Sequence, residues 1–271
     1  MTKTRLDVEM TSRGLAPSRE KARALIMAGE VTVNGKKADK AGFEVKPGDD
    51  IAVLSNPIPF VSRGGLKLDK AIRAFDISLT GKKCADIGAS TGGFTDCMLQ
   101  NGADHVYAVD VGYGQLDWKL RSDPRVTVME RTNARYMVPE WYAYPLDFAS
   151  IDVSFISLKL ILPPLFACLK EGAQVVALIK PQFEAERSEI GKKGVVKDPK
   201  VHIRVCQMIM QFAYTTGFCV SGLSFSPIKG PEGNIEFLIF LKKSDKSSEI
   251  LPEQFENLSA EVVGTAHNNT F

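Results

Sequence analysis

The chain has too few cysteines, too irregularly placed, for a disulfide framework or a zinc site. Five are scattered through 271 residues (Cys84, Cys97, Cys168, Cys206 and Cys219), an odd number with no Cys-x-x-Cys pair, as expected in a reducing compartment. No metal is expected. Long apolar runs are also missing: the longest, 158–169, is broken by Pro163-Pro164 and is too short for a bilayer. The opening Met1–Asp7 has no apolar signal core, so the expected location is cytoplasmic. Net charge is only +2, unevenly spread: residues 244–271 hold five acidic side chains against Lys246, leaving about +6 on the rest. A mildly basic body favours an anionic partner without identifying one. The acidic tail 244–271, rich in Ser, Asn, Glu and Thr, is expected to be poorly ordered or loosely docked.

What the chain does contain is an apolar fraction of 44% over 271 residues, enough for one large domain and a small one. Its most informative segment is Asp86-Ile87-Gly88-Ala89-Ser90-Thr91-Gly92-Gly93-Phe94-Thr95-Asp96-Cys97, between Lys83-Cys84-Ala85 and Val106-Tyr107-Ala108-Val109-Asp110. A strand-end carboxylate, a glycine turn opening a helix and a second strand-end carboxylate describe a nucleotide pocket. Glycines admit the ligand to the backbone, the helix start offers free N–H groups, and a carboxylate can accept from ribose hydroxyls. The order Gly88-x-x-x-Gly92-Gly93 is not the Gly-x-Gly-x-x-Gly of a dinucleotide binder, which excludes a flavin or nicotinamide enzyme. It resembles the S-adenosylmethionine (SAM) site of Rossmann-like methyltransferases. Strands are expected at 83–87, 105–109, 126–130, 147–153, 174–179, 218–225 and 235–241, alternating with helices: an α/β, mostly parallel, seven-stranded doubly wound sheet closed by an antiparallel pair. A helix is expected from Ser62 through Phe75, with Leu66, Ala71, Ile72 and Phe75 facing a core.

The first sixty residues follow other rules. A helix over 5–13 ends near Gly14, and Ser18 caps a second over 19–28 with apolar positions 22, 25 and 26, closed by Gly29. Val31–Val33 and an Asn34-Gly35 turn start a hairpin, and Val45, Ile51 and Val53 around Pro47–Asp50 suggest a further strand pair. Ser18-Arg19-x-x-Ala22-x-x-Leu25-Ile26-x-x-Gly29-x-Val31-x-Val33-Asn34-Gly35 resembles the S4 RNA-binding domain. That likeness implies that Arg13, Arg19, Lys21 and Arg23 contact RNA phosphates, with Lys36 and Lys37 as weaker candidates. The expected divisions are an S4-like domain at 1–55, a proline linker at 56–61 (Asn56-Pro57-Ile58-Pro59), a catalytic domain at 62–243 and the tail at 244–271.

Residues 60–243 resemble the TlyA, or hemolysin A-like, family, whose members are similar to the FtsJ/RrmJ ribose methyltransferases. The match rests on Ser62-Arg63-Gly64-Gly65-x-Lys67-Leu68, Gly88 to Thr95, Asp110 to Leu116, Glu130 to Arg135, Asp152-Val153-Ser154-Phe155-Ile156-Ser157, Lys180-Pro181-Gln182-Phe183-Glu184, Gly194-Val195-Val196-x-Asp198-Pro199 and Gly233-Asn234-x-Glu236. It implies a class I SAM methyltransferase that modifies ribosomal RNA, at cytidine 2′-hydroxyls in ribosomal subunits, through a Lys-Asp-Lys-Glu tetrad of Lys67, Asp152, Lys180 and Glu236. A ribose hydroxyl is a poor nucleophile and needs a base beside it with the methyl donor held in line. Lys180 is the expected base, Asp152 its orienting partner, and Glu236 the holder of Lys67 or the ribose. The resemblance also implies that Gly88, Ser90, Gly92, Gly93, Phe94 and Thr95 hold the methionine end of SAM, Asp110 its ribose and Asn133 its adenine, with Asp86 as a further contact to the methionine amine. Two other readings are weighed: an S4-directed RNA-binding or assembly protein that keeps the fold without turnover, which an intact tetrad disfavours, and a membrane-lytic protein, for which the sequence offers no long cationic amphipathic helix.

Overall fold

In the N-terminal unit a two-residue strand β1 (Thr4–Arg5) runs straight into helix α1 (Leu6–Ser12), and Ser18 Oγ accepts from Lys21 N at 3.2 Å to start α2 (Arg19–Met27). The two helices share Leu6, Met10, Ala22 and Ile26 as an apolar seam. Strands β2 (Val31–Val33) and β3 (Lys36–Lys37) form a hairpin through Asn34 and Gly35, whose φ angles of 52° and 76° suit a tight hairpin turn. The strands after it, β4 (Glu44–Val45) and β5 (Ile51–Val53), do not pair with each other as expected. β4 pairs with β1 and β5 with β2, both antiparallel. The turn between them is closed instead by Lys46 N donating to Asp49 Oδ2 at 2.7 Å, and Asp50 N donates to Asn34 Oδ1 at 2.9 Å. This splays the strands, so Val45 and Ile51 reach one core from two sheets.

The computed structural model describes residues 3–54, 58–243 and 250–269, and the chain divides into two compact units, 1–59 and 60–271. The Asn56-Pro57 half of the expected linker lies outside the described residues.

The larger unit opens with α3 (Gly65–Ala74), followed by β6 (Lys83–Ile87), α4 (Gly93–Gln100), β7 (His105–Val109), the short α5 (Trp118–Arg121), β8 (Val126–Met129) and β9 (Leu146–Ile151). Then come α6 (Leu162–Cys168), β10 (Leu169–Ile179), α7 (Pro181–Glu184), α8 (Pro199–Thr216), β11 (Cys219–Phe225), β12 (Phe237–Lys242) and α9 (Phe255–Asn268). The sheet order is β11-β12-β10-β9-β6-β7-β8, with β12 antiparallel to both neighbours and the strands from β10 to β8 parallel. This is the α/β, mostly parallel seven-stranded sheet closed by an antiparallel pair that the sequence leads one to expect.

Strand alternation assigns the two faces. Ala85, Ile87, Tyr107, Val109, Ala149, Ile151, Val175 and Ala177 join the core that holds Val205, Ile209 and Ala213 of α8. The intervening residues face α3 and α4, as the stacking of Phe75 on Phe240 at 5.1 Å marks. α3 forms where expected, except that its inward face carries Lys67 with Leu68, Ala71 and Ile72, while Leu66 is only half-buried.

Residues 244–249 of the expected tail lie outside the described residues, and the described remainder departs from the expectation. Its residues 255–268 form α9, with Phe255, Ser259, Val263 and Ala266 buried along one face against α8 and β11. Burial of that apolar stripe outweighs the polar composition on which the expectation rested.

Candidate active site

The C-terminal edge of the parallel strands collects the reactive groups, as open α/β sheets do. Asp152 follows β9, Lys180 follows β10, Lys67 comes from the first turn of α3, and Glu236 precedes β12, whose antiparallel course brings its start to the same edge. Lys67 Nζ lies 2.6 Å from Glu236 Oε2 and 3.4 Å from Asp152 Oδ2. Lys180 Nζ lies 2.5 Å from Asp152 Oδ1 and donates to Ser154 Oγ at 3.0 Å. Two ammoniums thus flank one carboxylate, and a second carboxylate holds the outer ammonium. Lys67, Lys180 and Glu236 are buried, and such a cluster is tolerated away from water only because its charges balance. Burial pushes the Asp152 carboxyl upward, but Lys67 and Lys180 outweigh it and hold the group below the usual aspartate range. Glu236 Oε1 is buried and has no hydrogen-bond partner among the described residues.

The tetrad lines a cavity of about 520 Å³, and a second of about 350 Å³ adjoins it through Gly88, Ser90, Asp152, Ser154 and Phe155. Gly88 (φ 89°) is irreplaceable in space as well as in conformation, since a Cβ there would come within 2.5 Å of the Asp152 carbonyl oxygen. Asp110 borders the second cavity, its Oδ2 accepting from Ser90 N and its Oδ1 from Gly112 N, both at 2.7 Å. Asn133 borders it too. Its Oδ1 caps the turn Ala134–Tyr136 by accepting from Arg135 N at 3.1 Å, so the amide N–H group is the half left to face a ligand. Val111, Val153, Ile156 and Ile161 supply apolar walls. An apolar slot with a carboxylate and an amide donor, opening onto a polar chamber, fits the adenosine and methionine ends of SAM.

Three expected cofactor contacts are corrected. Asp86 is fully buried and borders neither cavity: Oδ2 accepts from Thr95 N at 2.8 Å and Thr95 Oγ1 at 2.7 Å, and Oδ1 accepts from Ser150 Oγ at 3.2 Å. Asp86 and Thr95 are therefore a tie beneath the glycine turn, holding α4 to β6. Gly92 is turned toward Leu116 and Leu120, where a Cβ would approach within 2.8 Å and 2.2 Å. Gly88, Ser90, Gly93 and Phe94 do border the cavity.

In the N-terminal unit the expected RNA-binding arginines are engaged. Arg19 Nη2 and Arg23 Nε reach Asp7 Oδ2 at 3.3 Å and 2.9 Å, alongside Arg5 at 2.9 Å, while Arg13 pairs with Glu9 at 2.7 Å and donates to Asp49 O at 2.8 Å. Asp7 is buried and held far below the usual carboxylate range, chiefly by the Arg5 hydrogen bond against the upward push of burial. Three half-exposed guanidiniums on one buried carboxylate leave a net positive, pre-oriented cluster. Lys21, Lys36 and Lys37 are exposed.

Sequence reasoning missed Arg5 and Asp7 here, and in the catalytic cavity it assigned nothing to Ser154, Phe155, Gln182 or Lys193. Phe155 is 90% exposed at φ 62°, its ring 5.0 Å from that of Phe183. An aromatic shortly after a strand-end aspartate was the available signal.

Comparisons with known proteins agree with this geometry. A family model described as FtsJ-like methyltransferase matches residues 60–243, and one for the S4 domain matches residues 4–51. The "Putative rRNA methyltransferase YqxC" of Bacillus subtilis (strain 168) is 54% identical over 93% of this chain and 91% of its own length. The "16S/23S rRNA (cytidine-2'-O)-methyltransferase TlyA" of Mycobacterium tuberculosis (strain ATCC 25618 / H37Rv) is 44% identical, covering 89% of this chain and 90% of its own. A solved structure titled "Putative hemolysin from Streptococcus thermophilus" is 49% identical, with a TM-score of 0.78 over 99% of this chain and 97% of that one.

Proposed function

The chain belongs to the FtsJ-like methyltransferase family and carries an S4 domain, and from that premise we propose that it transfers a methyl group from SAM to a ribose 2′-hydroxyl of ribosomal RNA, at cytidine in ribosomal subunits. The observation that carries this reading is the convergence of Lys67, Asp152, Lys180 and Glu236 in one cavity. Gly88, Ser90, Gly93 and Phe94 would hold the methionine end, Asp110 the ribose hydroxyls and Asn133 the adenine edge. When bound, SAM supplies an electrophilic methyl group on a positively charged sulfur. Asp152 orients Lys180, which, once it has shed its ammonium proton to solvent, takes the proton that the attacking 2′-hydroxyl must lose, and Lys67, fixed by Glu236, places a cation beside the oxygen as it gains negative charge. Phe155, exposed at the rim, gives an unstacked base a ring to lie on. None of the five cysteines borders either cavity and all are buried, which disfavours methylation of base carbon through a thiol adduct.

Two features of the relatives' names support the RNA assignment, the rRNA substrate and the cytidine 2′-oxygen. The word hemolysin in a neighbour's title finds no matching feature, since among the described residues no helix is long and apolar enough to cross a membrane. Incubating the protein with purified ribosomal subunits and methyl-labelled SAM tests the reading. Label should enter RNA and be absent from RNA with a 2′-deoxy substitution at the target nucleotide. Lys180→Ala should reduce transfer at least about 100-fold while calorimetry finds SAM binding close to wild type. Methylation of the deoxy substrate would move the acceptor to the base, and no transfer at all would leave an RNA-binding protein that keeps the fold without turnover.

A further inference from the structure

One wall of the catalytic cavity comes from no strand end. Lys193 and Gly194 border it, in the irregular segment that runs from the turn Arg187–Glu189 to α8. That segment is pinned at three points. Asn234 Nδ2 donates to Gly194 O at 3.0 Å, Val196 N donates to Asn234 Oδ1 at 3.1 Å, and Val196 O lies 3.1 Å from His202 Nε2. His202, on the first turn of α8, is fully buried with its ring edge-on to Phe237. Its other nitrogen, Nδ1, lies 2.9 Å from Nε2 of His267 in the last turn of α9.

Burial pushes the His202 imidazole down to about 4, which keeps it neutral near pH 7, and with His202 neutral the protons in this chain have one order. A carbonyl oxygen accepts, so His202 Nε2 carries a proton and donates it to Val196 O. A neutral His202 then has a bare Nδ1, which accepts from His267 Nε2–H. The bonds therefore run in one direction, from α9 through α8 to the main chain of the cavity wall. Packing alone does not require them, because Phe255, Val263 and Ala266 already seal α9 to the body. His267 is exposed and His202 fully buried; burying that imidazole costs desolvation that an apolar side chain would avoid, and what its two bonds add is a fixed placement of the groups that they join.

We propose that His267 and His202 are positioning residues for methyl transfer, through which the C-terminal helix sets the Lys193–Val196 wall against the incoming RNA. This rests on the methyltransferase reading above. Lys193 is exposed at the cavity border and is the cation that a phosphate beside the target nucleotide would meet. Loss of the chain thus acts on RNA capture rather than on the adenosine slot of the cofactor, which lies on the Asp110 side and which neither Lys193 nor Gly194 borders.

The full-length protein tests this with His267→Phe, which keeps a ring but no donor, and His267→Gln, which restores an N–H. His267→Phe should raise KM for ribosomal subunits about fivefold, the equivalent of one ordinary hydrogen bond, with kcat and SAM affinity within about twofold of wild type. His267→Gln should restore KM. Hydrogen exchange at the Gly194 and Val196 amides should quicken in His267→Phe and not in His267→Gln, while amides of β9 and β10 hold. A wild-type KM and unchanged exchange in His267→Phe would overturn the proposal, as would an equal loss of kcat and melting temperature in both variants. If the wild-type protein transfers no methyl group, the methyltransferase reading fails separately, and the exchange result still decides whether His267 holds the wall.

Discussion

Asp86 sits between Thr95 and Ser150 with no path to water, and burial pushes its carboxyl up to about 7 against the hydrogen bonds from Thr95 and Ser150, with Asp152 adding to the rise. The unfolded chain ionises it near about 3.9. Between about pH 4 and 7 the folded protein therefore holds a proton that the unfolded chain has lost, so this group's contribution to stability is full below the window and falls as pH rises through it. The difference amounts to about 4 kcal/mol. Asp86→Asn can accept from Thr95 with its amide oxygen and donate to Ser150 with its N–H group. Urea unfolding should find the variant more stable than wild type at pH 8, with this part of the pH slope removed, whereas an unchanged slope would mean that Asp86 ionises in the folded state as freely as in the unfolded one. Sequence misplaced this residue for a reason visible in the strand. Residues within β6 point to the helices on either face, and only those past the last paired position, such as Asp110 and Asp152 after β7 and β9, turn into the cavity. The tetrad was legible because all four residues stand in motif segments; the pairing of Arg19 and Arg23 with Asp7 was not, because it spans 12 and 16 positions.

At the scale of elements, six of the seven strands lie within two residues of their expected bounds and β10 begins five residues early, at Leu169, because apolar runs bounded by glycine, proline and charge admit little else. What escaped was partnership. Nothing local in Glu44–Val45 says that it will pair with Thr4–Arg5 rather than with Ile51–Val53. For α9 the signal is present, with Phe255, Ser259, Val263 and Ala266 at spacings that share one helix face, but the polar composition around them masks the period. Close approach between elements sets a further expectation. α4 begins at Gly93, where a Cβ would lie 2.8 Å from Gly65 N and 2.4 Å from Ser62 Oγ at the start of α3. Gly93→Ala should cost about 1–3 kcal/mol in thermal or urea unfolding and weaken SAM binding as well, since the same turn borders the cavity. Wild-type stability would mean that the two helix starts can part without cost.

Among the described residues, the guanidinium cluster around Asp7 stands in residues 1–59 and the tetrad with both cavities in residues 60–271. A chain beginning at Phe60 should fold and bind SAM, because both cavities and the tetrad lie within it, and should no longer bind ribosomes. In the full chain, replacing Arg13, Arg19 or Lys21 by glutamine should weaken RNA binding and lower the slope of log affinity against log salt by roughly 0.7 to 0.9 for each phosphate left without its cation. Equal methylation by the shortened chain, or an unchanged slope, would place the docking surface on the larger unit alone. Lys67 and Glu236, joined at 2.6 Å, stand 169 positions apart, and Glu236 immediately precedes β12, the last strand of the sheet in chain order. During synthesis the ribosome releases the glycine turn, Asp110 and Asn133 about a hundred residues before it releases Glu236, which at ordinary elongation rates is roughly 5–20 s. A nascent chain can thus acquire its methyl-donor slot while the acceptor side, still without Glu236, is incomplete.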